Sequence, residues 1–498
     1  MKTLLIRKYI VGYIIIGIVN LSACKKMLNV DPPIDQYTSE SVYSKTPTAV
    51  YAMTGVYESL AGYEGPMSRG SLIYGLLADE LEDKDAVVFG GSSDRTEAYK
   101  NSENSIEVTS FAWDGTYRNI IYRCNAVIEG VLASSSIPDH SKSILIGEAK
   151  FVRALMYFYL VNLYGDVPLI LSTDYKENSN KGRTAVGSVY EQIITDLKQA
   201  QENLSEEYLD VDLSTPTIER VRPNKAAATA LLARVYLYLQ RWADAETEAS
   251  KIIENSASYD LVPLNEVFLK NNREAIWQLQ PDPNRNDGTQ KNTMQAELFI
   301  PNHNDPNANV YFMPDVFLSP FLISSFEAED QRKTNWILNL QTVDGNSYPI
   351  PFKYKVAKTT GVPTVQTEYT TIFRLAELLL IRAEARAKQG KIIGANSAQS
   401  DLNKIRLRAG LAETNASSEA KMLDAIDQER YVELFTEFGH RWLNMKHRGT
   451  INARMAVVTE YKGGNWQPEK SFLGIPYDEF KFNSALVGHQ NPGYREIK

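Results

Sequence analysis

The stretch DHSKSILIGEAKFVRALMYFYLVNLYGDVPL, residues 139–169, leaves this chain little choice of architecture. Phe151, Ala154, Leu155 and Phe158 recur at the i, i+3, i+4, i+7 spacing of one helix face. Asp139 or Ser141 can cap the start, and Gly165 followed by Pro168 stops the run, so the stretch reads as one long buried helix. A second block, RPNKAAATALLARVYLYLQRWADAETEASKIIEN, has Asn224 as its N-cap, alanines that allow close approach, and a break at Gln240 to Trp242. It reads as a helical hairpin. A third, TTIFRLAELLLIRAEARAKQG, repeats the pattern and ends on Gly390.

The three blocks superpose so that Arg153, Arg234 and Arg382 align. Leu232, Ala233, Tyr236, Ala245 and Ala249 also sit where a tetratricopeptide helix pair wants apolar or small residues. The arginine spacings are unequal and far longer than the ~34 residues of that repeat. The expectation is therefore a mainly helical (all-α) fold: tetratricopeptide-like hairpins forming a scaffold, with long irregular loops and a few short strands. Three excursions rich in Asn, Asp, Gly and Pro interrupt it, at residues 78–105, 280–320 and 339–369. Long loops on a rigid frame are where function concentrates.

The N-terminus says where such a body resides. Lys2, Arg7 and Lys8 precede an apolar run from Tyr9 to Leu21, and Ser22 and Ala23 are small, which is an export-signal pattern. Lys25 and Lys26 end the run before the ~20 residues a spanning helix needs. L-S-A-C has the pattern of a bacterial lipoprotein box, which makes Cys24 the lipidated first residue of the mature chain. Several acyl chains, each methylene contributing about 0.8 kcal/mol, would hold it to a membrane permanently. Residues 1–23 are thus expected to be a signal peptide and 24–40 a tether. Residues 41–498 form the body, with halves meeting near 215/216.

The chain has only two cysteines, so the body relies on its core and not on a disulfide. Its net charge is −8 and becomes more negative once the signal is removed, which disfavours a nucleic-acid partner. No phosphate-cradling loop, G-x-S-x-G elbow or H-E-x-x-H motif occurs. His440 and His447 share a face of one expected helix and read as surface or packing residues.

Glu429, Glu433 and Glu437 stand four apart, a spacing that overlaps glycosidase acid and base pairs. An ion-pair ladder with Arg430 and Arg441 along one helix face explains them better. ADELEDKD, with Asp79, Glu80, Glu82, Asp83 and Asp85, could hold Ca²⁺ but reads as a solvated helix end. DPNRNDG resembles an EF-hand start at Asp282, Asn284 and Asn286, yet Gly288 falls one position late and Thr293 replaces the bidentate Glu. No cofactor is expected.

Aromatic residues make up 10% of the chain. Helical tyrosines such as Tyr157 and Tyr236 read as packing, whereas Phe89, Tyr99, Phe299, Tyr311, Phe312, Trp336 and Tyr348 lie where no helical period explains them. A flat ring flanked by amides and carboxylates suits a pyranose, which offers a C–H face and hydroxyls. Phe89, Tyr99, Tyr311, Phe312, Trp336 and Tyr348 are the candidate ligand-stacking residues.

Taken together, LSAC at Cys24, FAWDGTYRNIIYRCNAVIE, GEAKFVRALMYFYLVNLYGDVPL, FRLAELLLIRAEARAKQG, LNKIRLRAGL, QERYVELFTEFGHRWLNMKHRG and IPYDEFKFNSALVGHQNPGY resemble the SusD/RagB family of Bacteroidetes outer-membrane lipoproteins. The resemblance spans nearly the whole mature chain. It implies a tetratricopeptide-like body, anchored in outer-membrane lipid through Cys24. Such a body caps a SusC-type TonB-dependent transporter and captures oligosaccharides, or sometimes peptides, without catalysis. The rival expectations are a surface glycoside hydrolase using unrecognised carboxylates, a peptide-binding RagB-type uptake protein, and a helical scaffold for assembly.

Overall fold

The computed structural model describes residues 39–62, 66–89, 93–102, 112–282, 293–301, 313–356 and 366–495. In chain order the elements used below are α1 (Thr46–Ala61), α2 (Ser68–Leu77), β1 (Leu81–Asp83), α3 (Asp94–Tyr99), α4 (Tyr122–Ala133), α5 (Asp139–Tyr164), α6 (Val186–Asn203), α7 (Lys225–Tyr238) and α8 (Trp242–Ile253). There follow β2 (Ala275–Leu279), β3 (Val316–Leu318), β4 (Ile337–Gln341), β5 (Ser347–Pro351), β6 (Thr370–Arg374), α9 (Leu375–Lys388), α10 (Ala398–Arg408), α11 (Glu419–Glu433), α12 (His440–His447) and α13 (Ile451–Tyr461). The chain is mainly helical, as its sequence indicates.

From α4 to α8 each helix packs on the next, and α9 then packs on α8, with α10 and α11 following. The stack is therefore continuous in space although residues 254–374 intervene in sequence. That inserted segment carries most of the strands, in three two-stranded antiparallel sheets: β1–β3, β2–β6 and β4–β5.

The central helix α5 is buried from Gly147 to Val161 with Lys150 alone excepted, enclosed by neighbours on every side, and its two buried charges there, Glu148 and Arg153, are each ion-paired. It ends where Gly165 adopts φ +74°, a conformation that costs a residue with a Cβ dearly. Its start is uncapped by a side chain: Pro138 occupies the N-cap, and neither Asp139 nor Ser141 does the work expected of it. The α7/α8 hairpin forms as the sequence indicates. Asn224 Oδ1 accepts the Ala227 N–H at 3.2 Å, and Gln240 turns the chain with φ +57°. The third block differs at its start, because Thr370–Arg374 is strand β6 and the helix begins only at Leu375. The β-branched and aromatic residues TTIF favour a pleated, buried surface over a helix.

The aligned arginines share a physical role. Arg153 on α5 forks onto Asp196 on α6 at 2.8 and 2.7 Å, Arg234 on α7 onto Glu377 on α9 at 2.6 and 2.6 Å, and Arg382 on α9 onto Asp401 on α10 at 2.9 and 2.7 Å. All six side chains are buried. Each helix thus presents one guanidinium to a carboxylate on a neighbour, and the planar fork fixes the rotation of one helix against the other.

Candidate glycan-binding site

The first excursion leaves α2 through ADELEDKD. Asp79, Glu80, Glu82 and Asp83 are all buried, so the run is no solvated helix end. Arg441 grips Asp79 with two bonds of 2.7 Å and Arg454 adds a third at 2.6 Å. Burial alone would raise the Asp79 carboxyl, but Arg441 and then Arg454 overcome it and hold it at about 2. Tyr431 and Ser319 donate their hydroxyls to the Asp79 carbonyl at 2.7 and 2.5 Å. This turn is thereby tied to α11, α12, α13 and the chain after β3.

The three excursions meet just beyond it. β1 from the first pairs with β3 from the second in the register Leu81↔Leu318, Glu82↔Phe317, Asp83↔Val316. β3 in turn lies beside β5 from the third, where the Phe317 and Tyr348 rings approach to 5.1 Å at 58°. Both rings are half-buried. Around them Lys84 pairs with Asp315 at 2.6 Å, and Arg95 reaches Asp85 at 3.0 Å and Asp315 at 3.3 Å. The Asp315 side chain is 61% exposed. An aromatic pair near partly covered, ion-paired cations and the exposed Asp315 carboxylate offers a stacking surface together with hydrogen-bonding groups, the combination a sugar ring requires.

Of the six candidate stacking residues, Tyr348 alone shows its side chain at this junction. Cys24, Tyr311 and Phe312 lie outside the described residues, and Phe89 is described in its backbone only, at the end of a π-helical turn Asp85–Phe89. Trp336 belongs to the core. It is 0% exposed, its Nε1 donates to the Leu264 carbonyl at 2.8 Å, and Phe268 and Lys353 pack on it. Tyr99 is likewise internal, its hydroxyl donating to Glu82 and its ring under the Lys462 ammonium at 4.8 Å. Phe299 is buried too. Neither Trp336 nor Tyr99 can present a face to a ligand. The other side chains at this junction, which sequence reasoning did not single out, are Phe317, Lys84, Arg95 and Asp315. Phe317 had a signal: in Val-Phe-Leu its alternation points it away from the buried Val316 and Leu318.

The glutamate series is a charge cluster, not a ladder. α11 ends at Glu433, so Glu437 lies beyond the helix. Glu433 receives Arg374 at 2.6 Å and Arg332 at 2.8 Å, with Arg408 on the same carboxylate. Glu437 takes Arg374 and Lys353, and Glu429 takes Arg332 at 2.6 Å and Arg406 at 3.2 Å. The expected partners serve elsewhere: Arg441 on Asp79, and Arg430 on Glu384 at 2.9 Å. Burial pushes Glu433 upward, but the three guanidiniums hold it far below the usual carboxylate range, which leaves no proton to donate at neutral pH. Both histidines pack: His440 is buried, and His447 stacks on Tyr238 at 4.8 Å while bonding Glu384 at 3.0 Å. Among the described residues no helix is long and apolar enough to cross a membrane.

The frame is similar to that of known proteins. Residues 30–237 match a family model described as SusD-like, starch-binding and associating with the outer membrane, and residues 342–494 match the SusD family model. SusD-like protein P25 of Formosa agariphila is 25% identical over 537 residues, covering 95% of this chain and 97% of its own. Among solved structures, a laminarin-binding SusD-like protein superposes with a TM-score of 0.72 at 24% identity, covering 90% of this chain and 99% of that one. Surface glycan-binding protein A from Bacteroides thetaiotaomicron gives 0.71 at 19% identity, covering 91% and 100%. With family models over both ends of the body and a shared helical frame throughout, the chain belongs to the SusD/RagB family.

Proposed function

We propose that this protein is a surface lipoprotein, anchored through acylated Cys24, that captures oligosaccharides on the face where its three excursions meet. It passes them intact to a SusC-type TonB-dependent transporter in the outer membrane. The observation that carries this reading is the Phe317–Tyr348 ring pair at the β3/β5 contact, flanked by Lys84, Arg95 and Asp315. Membership of a family described as starch-binding and outer-membrane associated supports it, as do the glycan-binding names of two structural relatives.

The test is titration of the mature chain, carrying Cys24→Ser so that it stays free of lipid, against a polysaccharide panel. Tyr348→Ala and Phe317→Ala should each weaken binding of the best glycan by about five- to tenfold, the ~1–1.4 kcal/mol of a lost stacking contact. Tyr348→Phe should retain most of the affinity. Full affinity in both alanine variants would remove the site from this face. Incubation with the bound glycan separates capture from hydrolysis, since a binder returns the chain length unchanged.

A further inference from the structure

A second pair of rings stands close to Phe317 and Tyr348. Phe321, in the short helix Pro320–Ile323 that follows β3, meets Tyr461 at the end of α13 with ring centroids 5.0 Å apart at 79°. Arg454 lies over the Phe321 ring at 4.8 Å, its Nε held by Asp79 at 2.6 Å. Phe321 is half-buried, like Phe317 and Tyr348, but Tyr461 is 53% exposed, as is much of Val457 one turn earlier on the same helix face. A ring with half its surface in water adds little to a core, so burial does not account for Tyr461.

Two ties hold this pair beside the first. The β1/β3 register sets Glu82 opposite Phe317, so both side chains leave the ribbon on one side. Glu82 accepts the Tyr99 hydroxyl, the Lys462 ammonium covers the Tyr99 ring at 4.8 Å, and Tyr461 is the residue next to Lys462. Partial burial and then the Glu82 charge raise the Tyr461 hydroxyl above its ordinary value, which sets Tyr461 within reach of Glu82. The second tie is Ser319, midway between Phe317 and Phe321. Its N–H donates to the Glu80 carbonyl at 2.9 Å and its hydroxyl to the Asp79 carbonyl at 2.5 Å. Four residues span at most ~14 Å even when fully extended, so the two phenylalanines lie within the length of a short sugar chain. The cations along this track are already held: Lys84 by Asp315 at 2.6 Å, Arg95 by Asp85 at 3.0 Å, Arg454 by Asp79 and Lys462 by the Leu76 carbonyl at 2.6 Å. A uronate or sulfate would therefore meet the exposed Asp315 carboxylate without an uncommitted cation to offset the repulsion.

Given the glycan reading above, on which this rests, we infer that Phe321 and Tyr461 form a second stacking platform, and that the two platforms together take one linear, neutral oligosaccharide several sugar units long. A short glycan engages one platform. A longer one engages both, and its second contact is intramolecular, which gives the face a preference for chain length.

The experiment is calorimetric titration of the mature chain, carrying Cys24→Ser, with linear oligomers of three, five and eight units. The probes are α-1,4- and β-1,3-linked glucose oligomers, oligomers cut from the panel polysaccharide that binds best, and oligogalacturonate of the same lengths. The eight-unit neutral oligomer is expected to bind at least about tenfold tighter than the three-unit one, with little dependence on salt. Tyr461→Ala should lower that long-to-short ratio by about five- to tenfold, whereas Tyr461→Phe should keep it. Tyr175→Ala, which removes a tyrosine 73% exposed on the segment between α5 and α6, should also leave the ratio as it is. Equal affinity at all lengths, an unchanged ratio in Tyr461→Ala, an equal loss in Tyr175→Ala, or tighter binding of the oligogalacturonate each overturns the second platform while glycan capture at Phe317 and Tyr348 stands. Absence of binding by every oligomer overturns both.

Discussion

Replacement of Arg374 by methionine is expected to lower stability by about 3–5 kcal/mol, the cost of removing one cation from a buried, charge-balanced cluster. Arg374 closes β6 and is buried. Its Nη1 reaches Glu274 at 3.0 Å and Glu433 at 2.6 Å, its Nε and Nη2 reach Glu437 at 2.9 and 2.8 Å, and Nη2 also bonds the Glu433 carbonyl at 2.9 Å. Methionine fills much of the volume but takes one counter-charge from each of three buried carboxylates, leaving Glu433 to Arg332 and Arg408, Glu274 to Arg408 and Glu437 to Lys353. The consequence reaches the glycan face. Arg332, just before β4, and Lys353, just after β5, plug into the same glutamates, so the hairpin carrying Tyr348 is fastened through this cluster. Arg374→Lys keeps the charge but not the fork and should recover only part of the loss. Urea unfolding measures the effect, and a loss below about 1 kcal/mol would mean that the cluster does not hold the hairpin to the frame.

Replacement of Glu80 by glutamine should stabilise the protein, by an amount that grows with pH. Burial, and then the neighbouring Asp79 charge, raise the Glu80 carboxyl to about 8, against only the Thr436 N–H bond and more distant cations. With the folded value near 8 and the unfolded one near 4.5, the folded chain keeps a proton that the unfolded chain releases between those values. Wild-type stability contributed by this group therefore falls as pH rises from 4.5 to 8, and is level above. Glutamine resembles the protonated acid and has no such slope. The stability difference between variant and wild type should grow by about 1.4 kcal/mol per pH unit, or on the order of 4 kcal/mol from pH 5 to pH 8. Groups common to both proteins cancel in the comparison. Parallel unfolding curves across that range would show that Glu80 is ionised in the folded state.

The helical frame was legible because its signals are local. The faces of α5, the Asn224 cap and the α7/α8 break each lie within a few residues of the element they define, and the arginine alignment picked out three forked ion pairs before their partners were visible. The candidate face draws on the three excursions marked in the sequence, but few of its side chains were among those singled out there. Irregular composition marked the three excursions, yet it could not separate rings that return to the core from rings that stay at the surface. Trp336 is buried by Leu264 and Phe268, and Tyr99 by Glu82 and Lys462, contacts made across long sequence separations. The acidic run at Asp79 misled for the same reason, since Arg441 and Arg454 approach from the far end of the chain. Helical spacing failed for Glu437 because α11 stops one turn earlier.

A crystal structure of the mature chain soaked with the oligosaccharide that binds best in the panel tests the central claim most directly. The account predicts an intact glycan stacked on Phe317 and Tyr348, with hydroxyls hydrogen-bonded to Lys84, Arg95 or Asp315. A glycan seated away from this face, or one found cleaved beside Glu433, would contradict it.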